Sequence, residues 1–269
     1  MRLRDWALLV GTAGVATLAY GALVEARRLV IERHTLALPG WPERLRGFRI
    51  AVLADFHIGS QASFDLAQKA VIMALDEVPD IVVITGDFVS QWRAATPAMV
   101  ADCLELLLLM EGNVVAVPGN HDYEDGGPEL LDAVCDELNI RLLRNELWTH
   151  AGVAWVGIDS TLGGISRPVE AMKNLGNEPA IAIWHEPDLV GMLPPGCSLQ
   201  LSGHTHGGQF RFPGGFTPMH THLGKLYPRG FYPDAPTPLY VSRGIGTTFL
   251  PSRLLCPPEV SILTLVPAG

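Results

Sequence analysis

Ile81-Val82-Val83-Ile84-Thr85-Gly86-Asp87 is a β-branched run that stops at a glycine followed by a carboxylate. An apolar run without polar alternation reads as a strand covered on both faces. The glycine permits a tight turn beyond the strand end, and the turn brings Asp87 inward. The flanking segments extend the pattern. Upstream, Phe48 to Ala54 is another buried-strand run. Between the two, residues 63–78 place Leu66, Ala67, Ala70, Val71, Ala74, Leu75 and Val78 at helical spacing, and Pro79 ends the helix. Downstream, Thr96-Pro97 opens a helix as a cap followed by proline in the first turn. Asn113 to Val117 is a further strand, and Pro128 opens a helix that ends before Asn139. Strand and helix alternate, which predicts an α/β fold.

The second half has a different texture. Residues 151–158, 180–184, 198–202, 239–242 and 260–266 read as strands with short helical pieces between them. Proline and glycine crowd residues 194–258, which predicts a second sheet with long loops. A single domain over residues 48–269 is expected, because the chemically interesting residues come from both halves.

Those residues follow the strands in order. They are Asp55-Phe56-His57, Gly86-Asp87, Gly119-Asn120-His121-Asp122, His185 and Gly203-His204-Thr205-His206. A carboxylate and an imidazole two positions apart lie on one side of an extended backbone, so Asp55 and His57 can hold one cation. Asp87 has two oxygens and is suited to bridge two metals. Asn120 offers a neutral amide oxygen to a crowded site. His121 is then free to face a substrate, with Asp122 placed to fix its tautomer. His204 and His206 stand in a glycine-flanked loop, and His185 completes the set.

Composition sets limits. Of 269 residues, 48% are hydrophobic and 17% charged, which predicts a packed core and argues against disorder. The net charge of −9 disfavours nucleic acid as a partner, because that needs a basic face. A small phosphorylated substrate remains compatible, because bound cations can invert the local field. Cys103, Cys135, Cys197 and Cys256 form no C-x-x-C pair, so separate, mostly buried thiols are expected, and a reducing compartment is favoured.

The N-terminus reads as a separate piece. Residues 6–24 carry no charge and as a helix would span about 28 Å, near the thickness of a bilayer's hydrocarbon core. A membrane anchor, a cleaved signal and a helix packed on the domain are the three readings, over residues 1–30. Residues 31–47 read as a basic connector. Together with its flanks it holds Arg27, Arg28, Arg33, Arg44, Arg46 and Arg49, either a collar for anionic lipid or a solvated face.

Taken together, D-x-H, G-D, G-N-H-D, a lone histidine and G-H-T-H resemble the calcineurin-like metallophosphoesterase superfamily over about residues 48–266. The resemblance implies a four-layer α/β/β/α sandwich of two mixed sheets, here preceded by the hydrophobic N-terminal helix. It implies two divalent metal ions, with Mn, Zn or Fe suited to the donors. One would be held by Asp55, His57, Asp87 and His206, the other by Asp87, Asn120, His185 and His204. His121 would be the catalytic histidine. The implied reaction is hydrolysis of a phosphodiester or pyrophosphate by a water activated between the cations.

Asp87 is followed by Phe88-Val89-Ser90-Gln91-Trp92, without the arginine typical of the protein phosphatases of this superfamily, so that role is disfavoured. Residues 203–209 and 242–258 resemble a bacterial, membrane-tethered branch that includes hydrolases of UDP-2,3-diacylglucosamine. A lipid-precursor substrate at the cytoplasmic side of the cell membrane is therefore expected. The alternatives are a soluble nucleotide or general phosphodiesterase, or a metal-bound interaction module without catalysis. Arg243 contacts a second phosphate or pairs with a carboxylate. His220 and His222 read as loop histidines, and Trp184 as a wall of the core.

Overall fold

The computed structural model of the chain describes residues 2–269, apart from the side chains of residues 3, 4 and 7–10. In the first half, helix α1 (Leu3–Leu23) is followed by β1 (Val30–Leu38), β2 (Phe48–Leu53), α2 (Gln61–Asp76) and β3 (Ile81–Ile84). Then come α3 (Thr96–Leu104), β4 (Val114–Ala116), α4 (Gly127–Glu137) and β5 (Arg141–Leu142). The second half contains β6 (Glu146–His150), β7 (Val153–Gly157), α5 (Pro168–Ala171), β8 (Ala180–Ile183), β9 (Cys197–Ser202), β10 (Gly230–Tyr232), β11 (Leu239–Val241) and β12 (Glu259–Pro267).

Two six-stranded sheets result, in the orders β1-β12-β2-β3-β4-β5 and β10-β11-β9-β8-β7-β6. Both are mixed. The first is parallel except where β12 meets β2, and the second has antiparallel pairs at β10/β11 and β6/β7. Side chains alternate across each strand, so every central strand feeds two cores. Ile50, Val52, Ile81 and Val83 of the first sheet meet Trp155, Ile181, Ile183 and Leu201 of the second in a dry layer between them. The opposite faces of the same strands, Ala51, Leu53, Val82 and Ile84, pack on Ala67, Ala70, Val71 and Ala74 of α2. On the far side Ala154, Val156 and Ala182 pack on Ala171, Met172 and Trp184. This is the four-layer α/β/β/α sandwich expected, with Trp184 as a core wall.

The helices start where local chemistry starts them. Ser60 caps α2, its Oγ accepting from Ser63 N at 3.2 Å. α3 differs in detail from expectation. Its N-cap is Ala95, and Thr96 lies inside the helix, its Oγ1 accepting from Arg93 N.

The basic connector needs correcting. Residues 30–38 are an edge strand paired in parallel along the whole of β12. Leu36 and Leu38 are buried in the inter-sheet core, while the alternate residues Arg33 and Thr35 are exposed. The folded domain therefore begins before residue 48. Arg28 pairs with Glu25, Arg33 and Arg49 with Glu77, and Arg46 with Glu43. Four of the six arginines read as a possible lipid collar thus have carboxylate partners.

α1 is 21 residues long, and its residues 11–20 are exposed. Part of the expected membrane segment, the side chains of residues 7–10, lies outside the described residues. Among the described residues no helix is long and apolar enough to cross a membrane. The C-terminal end of α1 docks on the domain. Ser252 Oγ donates to Leu18 O at 3.1 Å and Arg253 N to Gly21 O at 3.2 Å.

All four cysteines are free thiols. Burial pushes Cys103 and Cys197 up to about 12 and raises Cys135 and Cys256 as well. The thiolate is the reactive form. We expect the native protein to react only slowly with an aromatic disulfide reagent at pH 8, and all four thiols to react at once in guanidinium. A thiol that reacts at once in the native protein would contradict this packing.

Candidate metal centre

The expected ligands converge where strands of both sheets end. β2 and β3 stop at Leu53 and Ile84, but their hydrogen bonding runs on. Asp55 N donates to Gly86 O at 3.0 Å and His57 N to Asp87 O at 3.1 Å. From the second sheet, His185 follows β8, and Gly203 N donates to His185 O at 3.2 Å. His204 N then donates to Asp55 Oδ1 at 2.9 Å, joining the two sheets at the site.

The backbone here is not the extended strand that the D-x-H spacing suggested. Asp55 and His57 have φ of 51° and 49°, Asp87 56°, His204 71° and His206 50°. Left-handed backbone is uncommon outside glycine and clusters at functional sites. Two turns approach so closely that only glycine fits. A Cβ on Gly119 would lie 2.2 Å from Asp87 Oδ1, and one on Gly86 2.5 Å from Gly119 N.

Three sets of side chains place their donor atoms within 4.8 Å of one another: Asp55, His57 and His206; Asp87, His185 and His204; and His57, Asp87 and His121. Asp87 Oδ2 lies 3.4 Å from His57 Nε2 and 3.3 Å from His185 Nε2, so it stands between the two halves. His57 Nε2 and His206 Nε2 are 3.0 Å apart, and His206 Nε2 is 3.6 Å from Asp55 Oδ1. His185 Nδ1 donates to Thr85 O at 2.7 Å and His204 Nε2 to His222 O at 2.6 Å. These bonds orient the rings and turn His185 Nε2 and His204 Nδ1 toward each other at 3.2 Å. Asn120 Oδ1 is buried without a hydrogen-bond partner, beside His121, whose N donates to Asp87 Oδ1 at 2.9 Å. A lone buried amide oxygen and imidazole nitrogens aimed at one another fit divalent cations well.

Electrostatics agree. Burial lowers His57 to about 4 and lowers His204 and His206 too, which favours the neutral, ligating form of these rings. Burial also pushes Asp55 up to about 7. Burial would raise Asp87 as well, but His185 and His57 outweigh it and hold the carboxyl well below the usual range. For His185 the same opposition ends the other way: burial lowers it, but Asp87 and Asp55 raise it well above the ordinary value. The carboxylates that favour a proton on His185 would equally favour a cation there.

Two expected roles change. Asp122 does not contact the ring of His121. Its carboxylate accepts from Asp87 N at 2.9 Å, Phe88 N at 2.8 Å and Gly119 N at 2.8 Å, with Val89 N at 3.4 Å. It ties together the two loops that carry Asp87 and Asn120. His121 Nδ1 instead faces Ser90 O at 3.2 Å and Glu124 Oε1 at 3.4 Å. Arg243 is not in the site. Its guanidinium is taken by Glu259 and by Glu32, the latter at 2.5 Å, so the carboxylate-pairing alternative is the one observed. His220 and His222 contribute no donor side chain to these sets.

The arginine that does reach the centre is Arg253, which the sequence did not single out. Its side chain is fully buried. Nη2 donates to Arg243 O at 2.9 Å and Gly246 O at 2.5 Å and lies 3.4 Å from His206 Nδ1. Gly246 N in turn donates to Asp55 O at 2.7 Å. No spacing or strand-end position marks Arg253, because its partners are backbone carbonyls.

Comparison with known proteins follows this geometry. The family model described as calcineurin-like phosphoesterase matches residues 48–208. The chain is 27% identical over 254 residues to the uncharacterized metallophosphoesterase YkuE of Bacillus subtilis, covering 91% of this chain and 88% of that one. It is 28% identical over 246 residues to phosphodiesterase YaeI of Escherichia coli, covering 85% and 90%. A Helicobacter pylori metallophosphoesterase is 32% identical over 81% of this chain, and the match spans 60% of that longer protein.

Asp87→Asn removes the charge shared by the two donor sets. Replacing groups that merely support a ligand weakens metal binding about 10- to 100-fold, so we expect at least a hundredfold loss here. Elemental analysis after dialysis would read it, with circular dichroism confirming the fold. Full metal retention would remove Asp87 from the centre.

Proposed function

Because the chain belongs to the calcineurin-like phosphoesterase family and is therefore a metal-dependent phosphoesterase, we propose that it hydrolyses a phosphodiester or pyrophosphate bond with two divalent cations bound. One observation carries the reading. The Asp87 carboxylate stands between two histidine-containing donor sets, 3.4 Å from His57 and 3.3 Å from His185. Asp55, His57, Asp87 and His206 would hold one cation, and Asp87, Asn120, His185 and His204 the other. Mn, Zn or Fe suits this mixture of imidazole, carboxylate and amide oxygen. When bound, such cations supply the Lewis acidity on which phosphoester hydrolysis draws.

The chain's own residues do the rest. His121 is partly exposed at the edge of the centre, with Nδ1 toward Ser90 O at 3.2 Å. That contact leaves Nε2 to hold a proton for the departing ester oxygen, or to stabilise the charge that develops there. Asp122 fixes the loops that place Asp87 and His121. A phosphodiester is favoured over a monoester by the name of the Escherichia coli relative.

We extend the proposal to an ester carried on a membrane-lipid precursor. Its support is α1, whose residues 11–20 are exposed and whose residues 6–24 carry no charge. On this reading the exposed helix makes a peripheral contact with the cell membrane, and the domain faces the cytoplasm, in keeping with four free thiols. A soluble phosphodiesterase is the competing reading, and it uses the same centre.

Hydrolysis of bis(4-nitrophenyl) phosphate by Mn²⁺-reconstituted protein tests the core of the proposal. We expect turnover that a chelator abolishes and added Mn²⁺ restores. His121→Ala should keep its metal and lose turnover by about 10²- to 10⁴-fold. Loss of metal together with activity would make His121 structural.

A further inference from the structure

A cleft of about 360 Å³ opens beside His57. That volume lies within the usual range for small-molecule sites. One end touches the metal centre through His57, and Ser90, which donates to His57 O at 3.0 Å, is also in its wall. The rest is formed by the start of α2, the loop after Gly246 and the C-terminal end of α1. The α1 side and its surroundings are apolar: Ala22, Leu23, Ala26, Leu66 and Pro251 line it, with Arg27 at the α1 end.

The α1 wall is fixed to the domain. Gly21 is buried against residues 252–253, and a Cβ there would lie 2.2 Å from Ser252 Oγ and 2.6 Å from Arg253 O. Arg253 N donates to Gly21 O, and its guanidinium donates to Gly246 O and approaches His206. The same residue thus anchors the helix, one cleft-lining glycine and one candidate ligand.

We propose that this cleft is the substrate's second subsite, in which the end of α1 and the start of α2 bind an apolar alkyl or acyl portion of the ester while its phosphoryl group lies at His57. The α1 wall favours this class, while Ser60, Ser63 and Thr247 leave polar edges around it. Apolar surface this close to a charged centre gains from displacing water only if the bound group is itself apolar. The assignment takes the position of the phosphoryl group from the phosphoesterase reading. It takes the character of the second group from the cleft.

The test is binding, separate from turnover. Isothermal titration of the Mn²⁺-loaded protein with alkylphosphonates from methyl to octyl should show Kd falling about two- to fourfold per methylene until the cleft is filled. Ala62→Trp and Leu23→Asp change the walls at two exposed positions, with circular dichroism to confirm the fold, and each should reduce the octyl-to-methyl affinity ratio at least tenfold. A flat series in the unaltered protein, or an unchanged ratio in both variants, would overturn the subsite. Flotation with phosphatidylcholine vesicles containing hexadecylphosphonate separates the sources of such an ester: recruitment assigns a membrane-borne one, and its absence a soluble one. Bis(4-nitrophenyl) phosphate hydrolysis run in parallel keeps the two readings apart. A steep binding series without turnover would sink the phosphoesterase proposal and spare the cleft. Turnover with a flat series would do the reverse.

Discussion

The site depends on backbone held in a conformation that it does not prefer. Asp55, His57, Asp87, His204 and His206 all take positive φ. For a residue with a Cβ that conformation costs roughly 1–2 kcal/mol. None of the five is a glycine, so each cost must be offset by the surroundings. The surroundings are the two sheets. Hydrogen bonds from Asp55 N to Gly86 O and from His57 N to Asp87 O continue the β2–β3 ladder past the strands. Bonds from Ile245 N to Ala54 O and from Gly246 N to Asp55 O clamp the other side. These five residues turn left-handed where strands from two sheets end at the same place and their side chains turn inward.

The second constraint is charge. Asp55, Asp87 and Asp122 are buried together, and burial pushes two of them, Asp55 and Asp122, up to about 7. Such a group of carboxylates is costly without compensation. Asp122 has its compensation from backbone N–H donors. Asp87 has His57 and His185. Bound cations would complete the balance for the remaining donors, and would let a chain of net charge −9 attract a phosphorylated substrate.

Much of this was legible because strand ends are legible. Ile81 to Thr85, Ala180 to Trp184 and their neighbours mark the ends of buried strands, and each is followed by a ligand type. The α/β alternation and the second sheet follow from the same runs, and the four-layer stacking is what the family resemblance implies. Other features depend on partners that are distant in sequence. Residues 31–47 read as a connector because the edge strand at their start, Val30–Leu38, shows only a short apolar patch. Arg243 stayed open between a phosphate contact and a carboxylate pair because Glu32, which takes its guanidinium, is 211 positions away. Asp122 sits next to His121 in sequence, and adjacency suggested contact. The turn sends its carboxylate to the backbone of residues 87–89 instead.

The two arginines of the C-terminal loops divide the labour by the kind of acceptor that each finds. Arg243 meets carboxylates from β1 and β12 and so fastens the edge of the first sheet. Arg253 meets backbone carbonyls, and burial lowers its pKa from the usual guanidinium value. A fully buried guanidinium is tolerable only when its donors are used, and Arg253 uses Nε, Nη1 and Nη2 on Gly246, Cys256, Arg243 and Gly244. Those carbonyls belong to the loops that pack against Asp55 and line the cleft. Because Arg253 also receives the end of α1 through its own N–H, helix, cleft and centre share one rigid support. Their geometries are therefore not independent: one residue holds α1 through its backbone N–H and approaches His206 through its guanidinium.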